Sequence, residues 1–310
     1  MSKYTVIGDL HLEHSNIDKV KKLFNQIESM GNNTIFLGDM LNRRGLIEAS
    51  CLNLLYKLFS DSRRLHTIIC GNHDQLSISS MEHSLEPLKS LPNVIIYDKP
   101  GTFDNILFMP YYRNPNQFLA DLNKNSKYLF CHQGVKEFSM GSGYTDNEAI
   151  DIKELAHFDR CVIGHYHSPM EKDNVVYLGT PFSHSFGESN EVKRLGIFDS
   201  ETGELEYIKT DFPRHITVNL DLSRSDILDI DYYDNNRVIL LGSREQIALF
   251  DKSKYPGVKF IEECTSEVVK TVLKETQTPQ SMFDNWFKDV KKETNTEIYE
   301  LGLKILDEVK

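Results

Sequence analysis

The sequence predicts an α/β fold with parallel strand pairing in its first half. Three observations carry that expectation: short apolar runs recur there, each run ends abruptly in Gly, Asp, Asn or His, and segments with helical spacing lie between the runs. Taken in order, Tyr4 to Ile7 leads into Gly8-Asp9-Leu10-His11, Thr34 to Leu37 into Gly38-Asp39, and Thr67 to Cys70 into Gly71-Asn72-His73-Asp74. Tyr128 to Cys131 then leads into His132, and Cys161 to Ile163 into Gly164-His165-Tyr166-His167. Runs of this length and β-branched or aromatic content, bounded by Gly, read as buried strands. Between them, Ile17, Val20, Leu23, Ile27 and Met30 recur at helical spacing, with Ser15 and Asp18 as a cap, and so do Leu52, Leu55, Leu58 and Phe59. Ligands of parallel sheets gather at the carboxyl ends of the strands, which is where all five polar clusters fall.

From about Asn93 the strands become closely spaced: Val94 to Tyr97, Ile106 to Pro110, Val175 to Gly179, Leu195 to Phe198 and Leu205 to Ile208, the last two joined by a turn at Asp199 to Gly203. A second sheet is expected from them. Past Pro213 a smaller βαβ-like unit follows, from Arg237 to Leu241 through a helix at Arg244 to Asp251 to Val258 to Ile261. The stretch after Thr265 is polar and reads as a linker to a last helical segment, where Met282, Phe283, Trp286, Phe287 and Val290, then Ile298, Leu301, Ile305 and Leu306, form an apolar stripe. The expected divisions are 1–212, a catalytic domain; 213–264, a small α+β cap; 265–278, a linker; and 279–310, a helical segment.

A hydrophobic share of 40% and a charged share of 26% exclude wholesale disorder. No apolar run approaches the roughly 20 residues of a membrane helix, and the first motif begins at Gly8, so a cytoplasmic protein with no membrane partner is expected. Five scattered cysteines without a CxxC pair argue for reduced thiols, not a disulfide frame or a zinc site. A net charge of -11 confines any nucleic-acid contact to local basic clusters, of which Arg43-Arg44, Arg63-Arg64 and Lys193-Arg194 are the candidates.

The chemistry lies in Asp9, His11, Asp39, Asn72, His132, His165 and His167, a mixture of carboxylate, amide and imidazole donors suited to hard or borderline divalent metals in hydrolases. Residues two apart at a strand end face the same way, so Asp9 with His11 and His165 with His167 can converge. Seven ligands exceed one ion, and a metal pair sharing one carboxylate accounts for the number. Any one cluster alone is ordinary turn chemistry; five in order, each after a strand, are not. His14, His66, His83, His157, His184 and His215 read as surface or packing residues, with His184 also a substrate-contact candidate.

These five clusters resemble the motifs of the calcineurin-like metallophosphoesterases across residues 8–167. Tyr177-Leu178-Gly179-Thr180-Pro181, followed by Ser185-Phe186-Gly187-Glu188 and the hairpin from Gly196 to Ile208, resembles the SbcD-type DNA nucleases, and among them the phage recombination endonuclease subunits. The resemblance implies a four-layer αββα sandwich. It also implies one metal on Asp9, His11 and His167, a second on Asn72, His132 and His165, and Asp39 between them. The metal implied is manganese, with magnesium, iron, zinc or cobalt acceptable to the same donors. His73 would protonate or stabilise the leaving oxygen, and Asp74 would hold its loop. The implied activity is exonuclease and endonuclease cleavage of DNA in recombination, repair and replication; the implied partners are an SbcC-like ATPase of the SMC family, bound by the last helical segment, and a second copy of the chain. One departure concerns Asn42, where the nucleases often carry Asp or His. It is followed by Arg43-Arg44-Gly45, similar to the Asp-Arg-Gly of phosphoprotein phosphatases, so Asn42, Arg43 and Arg44 become substrate-binding candidates and a phosphomonoesterase or phosphoprotein phosphatase the alternative activity.

Overall fold

A computed structural model describes residues 3–78, 80–138, 148–224, 228–264, 283 and 299–304. In chain order the strands and helices are β1 (Lys3–Ile7), α1 (Ile17–Met30), β2 (Asn33–Phe36), α2 (Ala49–Asp61), β3 (His66–Ile69), β4 (Val94–Tyr97), β5 (Gly101–Phe103) and β6 (Ile106–Met109). After them come α3 (Pro115–Asp121), β7 (Tyr128–His132), β8 (Arg160–Gly164), β9 (Met170–Lys172), β10 (Val175–Tyr177), β11 (Arg194–Asp199) and β12 (Leu205–Lys209). The described chain closes with β13 (His215–Asp221), β14 (Asn235–Gly242), α4 (Arg244–Leu249) and β15 (Lys259–Cys264).

Two six-stranded sheets form the body, in the orders β12-β11-β1-β2-β3-β4 and β5-β6-β7-β8-β10-β9. β1 to β4, one side of the first sheet, run parallel, as do the four central strands β6, β7, β8 and β10 of the second. Period-two alternation along each strand splits its side chains between two cores. Tyr4, Val6, Ile35, Leu37 and Ile69 of the first sheet meet Ile106, Phe108, Phe130 and Val162 of the second between the sheets. Ile7, Phe36 and Ile68 face outward onto Val20, Leu23, Phe24 and Ile27 of α1 and Leu55 and Phe59 of α2. On the far side Leu107, Leu129, Cys161 and Tyr177 pack on Phe118 of α3 and on Leu155. The result is the four-layer αββα sandwich. Each fully buried apolar side chain of α1 contributes about 1.5–3 kcal/mol, so its helical spacing and its docking share one cause.

Three details depart from the sequence reading. The strands from Val94 to Tyr97, Leu195 to Phe198 and Leu205 to Ile208 belong to the first sheet and not to the second: β4 extends its parallel edge, and β11 returns antiparallel beside β1. Ser15 does not cap α1; it sits in a 3-10 turn at His14–Asn16 and donates to the Glu13 carboxylate, while Asn16 precedes the helix. The cap unit holds a third parallel strand, β13, beside β14 and β15, around a core of Leu220, Leu228, Val238, Leu240 and Ile247. The expected βαβ crossover through α4 is present, with Ser243 and Gln246 forming its capping box. All five cysteines are free and four are buried. The linker 265–278 and most of the helical segment 279–310 lie outside the described residues.

Candidate metal centre

The five junctions meet at one end of the sandwich, where strand ends from both sheets converge. Glycine permits the approach. A Cβ on Gly164 would lie 2.6 Å from both Asp9 Oδ1 and the Leu37 carbonyl, and one on Gly38 would meet the His132 ring. Three of the candidate ligands themselves hold left-handed backbone, His11 at φ 44°, Asp39 at 47° and His165 at 99°. Such conformations cost about 1–3 kcal/mol each and persist where the surroundings impose them. The surroundings here are hydrogen bonds between the loops: His11 N to Asp39 O (2.8 Å), His73 N to Asp39 Oδ1 (2.8 Å), and His165 N to Asp9 Oδ2 (2.9 Å).

Asp39 is central. Its Oδ2 lies 3.4 Å from His132 Nε2 and 3.6 Å from His11 Nε2. Asn72 Oδ1 lies 2.9 Å from both His132 Nε2 and His165 Nδ1. His132 Nδ1 donates to the Leu37 carbonyl at 2.8 Å, which leaves Nε2 facing the oxygens of Asn72 and Asp39. On the other side His11 Nε2 and His167 Nε2 face each other at 2.9 Å, while Glu188 accepts from His167 Nδ1 at 2.9 Å. Ligand atoms of Asp9, His11 and His167, of Asp9, Asp39 and His132, and of His11, Asp39 and His73 lie within 4.8 Å of one another. Carboxylate, amide and imidazole donor atoms crowded together in a buried space are offset by positive charge, so the donor set fits divalent metal.

The electrostatics make the same demand. Burial works against the charged imidazole of His132, yet Asp39 and Asp9 push it up to about 9. Burial also opposes ionisation of Asp39, but His132 and His11 hold its carboxyl far below the usual carboxylate range. Asp9 is raised by burial, with His132 acting against that. Burial and the nearby Asp39 push Asp74 up to about 7; it accepts from Gly71 N (3.0 Å) and Leu41 N (3.1 Å) and so fixes the loop that carries Asn72 and His73.

The other candidates divide. His73 Nδ1 donates to the Asn42 carbonyl at 2.6 Å, and its ring stands edge-on to His11 with centroids 4.7 Å apart, so Nε2 is left for the centre. The His184 ring lies 5.4 Å from that of His11, and its Nε2 is buried without a hydrogen-bond partner. Burial pulls His184 down to about 4. Asn42 Nδ2 instead donates to Glu13 (2.6 Å), Arg44 Nε to the Asn72 carbonyl (2.7 Å), and exposed Arg43 approaches Glu48 at 4.0 Å. The basic pair Lys193-Arg194 is not an open cluster: Lys193 is 3% exposed between Glu188 and Glu191, and the Arg194 guanidinium stacks 3.7 Å over the Tyr207 ring. A further group outside this centre, His83, Glu86 and Asp98, is already bridged by Lys89 at 2.8 and 2.7 Å. Glu188 is the residue that reading by donor type passed over. Its only signal was membership of the Phe186-Gly187-Glu188 segment.

Fold and site together define a phosphoesterase of the αββα class that binds divalent metal. Residues 2–195 match the model of the calcineurin-like phosphoesterases, and the chain belongs to that family. It is 30% identical to "Exonuclease subunit 1" of Enterobacteria phage T4 over 215 residues, 64% of this chain and 62% of that protein, so the match spans less than two thirds of the relative. It is 25% identical over 280 residues, 80% of this chain and 78% of the other, to "Putative phosphoesterase 078R" of Invertebrate iridescent virus 3. Among solved structures, an archaeal phosphodiesterase aligns over 67% of this chain and 99% of its own at 18% identity and a TM-score of 0.37.

Proposed function

We propose that the chain is a metal-dependent DNA nuclease, with exonuclease and endonuclease action, serving as a subunit of an SbcCD-type recombination and repair complex. One observation carries the hydrolase part: ligand atoms from both sheets converge around Asp39, His132 Nε2 at 3.4 Å and His11 Nε2 at 3.6 Å from its Oδ2. The choice of DNA is supported by the likeness to an exonuclease subunit. In this reading Asp9, His11 and His167 would hold one divalent ion and Asn72, His132 and His165 the other, with Asp39 available to both; manganese is the ion proposed. When bound, such a pair supplies Lewis-acid polarisation of the phosphodiester and a nucleophile available at neutral pH. The chain's own residues do the rest. As an imidazolium His73 would deliver its Nε2 proton to the leaving oxygen and keep its Nδ1 proton on the Asn42 carbonyl, which orients the ring, and Asp74 keeps the loop in place. His184 lines the same face.

Residues 1–212 form the nuclease domain, 213–264 a DNA-facing cap, 265–278 a linker, and 279–310 a helical segment that docks on an SbcC-like ATPase; a second copy of the chain completes the assembly. The phosphatase alternative rests on Arg43-Arg44-Gly45, and its arginines are directed to Glu48 and to the Asn72 carbonyl. The test compares manganese-dependent cleavage of linear and single-stranded DNA with that of p-nitrophenyl phosphate, with and without the ATPase. Rapid clearance of the monoester with DNA left intact overturns the nuclease reading. Deleting 279–310 should leave a folded, metal-loaded nuclease that no longer co-purifies with the ATPase; retained binding returns that segment to the core.

A further inference from the structure

Behind His167, on the side away from the metal centre, lies a buried group that the reaction does not use. Glu188 is 5% exposed and divides its two oxygens. Oε2 receives three donors: Lys193 Nζ at 2.7 Å, Thr180 Oγ1 at 3.0 Å and His184 N at 3.3 Å. Oε1 is left for His167 Nδ1 at 2.9 Å. Three donors on one oxygen fix the rotation of the carboxylate, so the direction of the other oxygen is set by Thr180, His184 and Lys193.

Lys193 is also paired with Glu191 at 2.7 Å and donates to the His167 carbonyl at 3.0 Å. Two carboxylates therefore face one ammonium at equal distance, and Glu188 keeps its second oxygen for the His167 Nδ1 proton. A histidine that gives its Nδ1–H to a carboxylate is locked in the tautomer whose Nε2 carries the lone pair, and that nitrogen becomes a better donor to a metal. Here His167 Nε2 is the atom that faces His11 Nε2.

We propose that Glu188 is the positioning residue for His167: it fixes the tautomer and ring orientation through which the Asp9, His11 and His167 site takes its metal. It rests on the metal-centre reading above. The same carboxylate holds the His184 backbone, so one residue sets both groups that flank His11 on this side. The segment from Ser183 to Asn190 that carries Glu188 is bonded to β13 of the cap, through Ser183 with His215 (2.6 Å) and Asn190 with Thr217 (3.0 and 3.1 Å).

The test is manganese binding to the full chain by calorimetry and elemental analysis, with the manganese concentration for half-maximal DNA cleavage measured beside it. Glu188→Ala should weaken one of two ions by ten- to hundredfold and leave the other unchanged. Its half-activating manganese concentration should rise in step, while kcat at saturating manganese stays within about threefold. Glu188→Gln, which keeps an oxygen for the Nδ1 proton, should lose less than Glu188→Ala and serves alone if the alanine variant does not fold. A folded Glu188→Ala protein that binds both ions with wild-type affinity overturns the inference, as does equal weakening of both ions in both variants. Wild-type protein that binds no manganese overturns the metal-centre reading itself, a separate result.

Discussion

Replacing His73 by Asn separates proton delivery from metal binding. The backbone N–H of His73 is what Asp39 Oδ1 accepts, at 2.8 Å, so the substitution leaves that contact in place and both ions should remain. The imidazole Nδ1 is committed to the Asn42 carbonyl at 2.6 Å, so only Nε2 can serve a leaving oxygen, and Asn offers no proton of comparable acidity there. Loss of a general acid costs at least about a hundredfold, or about 2.7 kcal/mol on the barrier at 1.36 kcal/mol per factor of ten. The lost bond to Asn42 costs about 1 kcal/mol of loop stability, which thermal unfolding registers separately from the rate. The decisive assay varies the leaving group. Cleavage of DNA, which expels a basic alkoxide, should fall by the full factor, whereas cleavage of bis-p-nitrophenyl phosphate, whose leaving group is stable as an anion, should fall less than about tenfold. Equal losses on the two substrates would place His73 in binding or structure, and near-normal DNA cleavage would move the proton donor elsewhere, with His184 next.

Asp39→Ala removes the carboxylate that lies within 3.6 Å of histidines on both sides, so elemental analysis should find both metals lost together with activity; a variant that retains both refutes the shared-ligand role. Gly164→Ala places a methyl 2.6 Å from Asp9 Oδ1 and should cost about 1–3 kcal/mol by thermal unfolding, with reduced metal content; unchanged metal content would show that the loops can part without penalty. His66, packed on Phe59 and held by burial down to about 4 against 6.5 when exposed, binds its proton first in the unfolded chain. Stability is therefore full above about pH 6.5 and falls toward pH 4 by about 3 kcal/mol at most, and in His66→Gln the Tm should decline less steeply over that window; parallel curves would remove His66 as the cause.

The strand ends were legible because each combines a β-rich run with a Gly-bounded donor cluster, and all seven donors gather where parallel pairing would bring them. Sheet membership was not legible: Leu195 to Phe198 looks the same whether it pairs with β1 or β10, since only long-range register decides it. β13 escaped notice because its outward residues, including Asn219 and Asp221, interrupt the apolar pattern on an edge strand. Glu188 and Lys193 were hidden for a different reason. A charged residue in sequence reads as surface, and what buries these two is mutual neutralisation across the fold.

The donors of the centre are shared between the two halves of the sandwich: Asp9, His11, Asp39 and Asn72 follow strands of the first sheet, and His132, His165 and His167 follow strands of the second. Metal held among them is thus a clasp across a seam. Bound metal should therefore stabilise the packing of one sheet on the other at that end, and thermal unfolding with and without manganese would register it. A substitution deep in the interface, such as at Phe130 or Leu37, would be felt as leakiness for metal long before it was felt as unfolding.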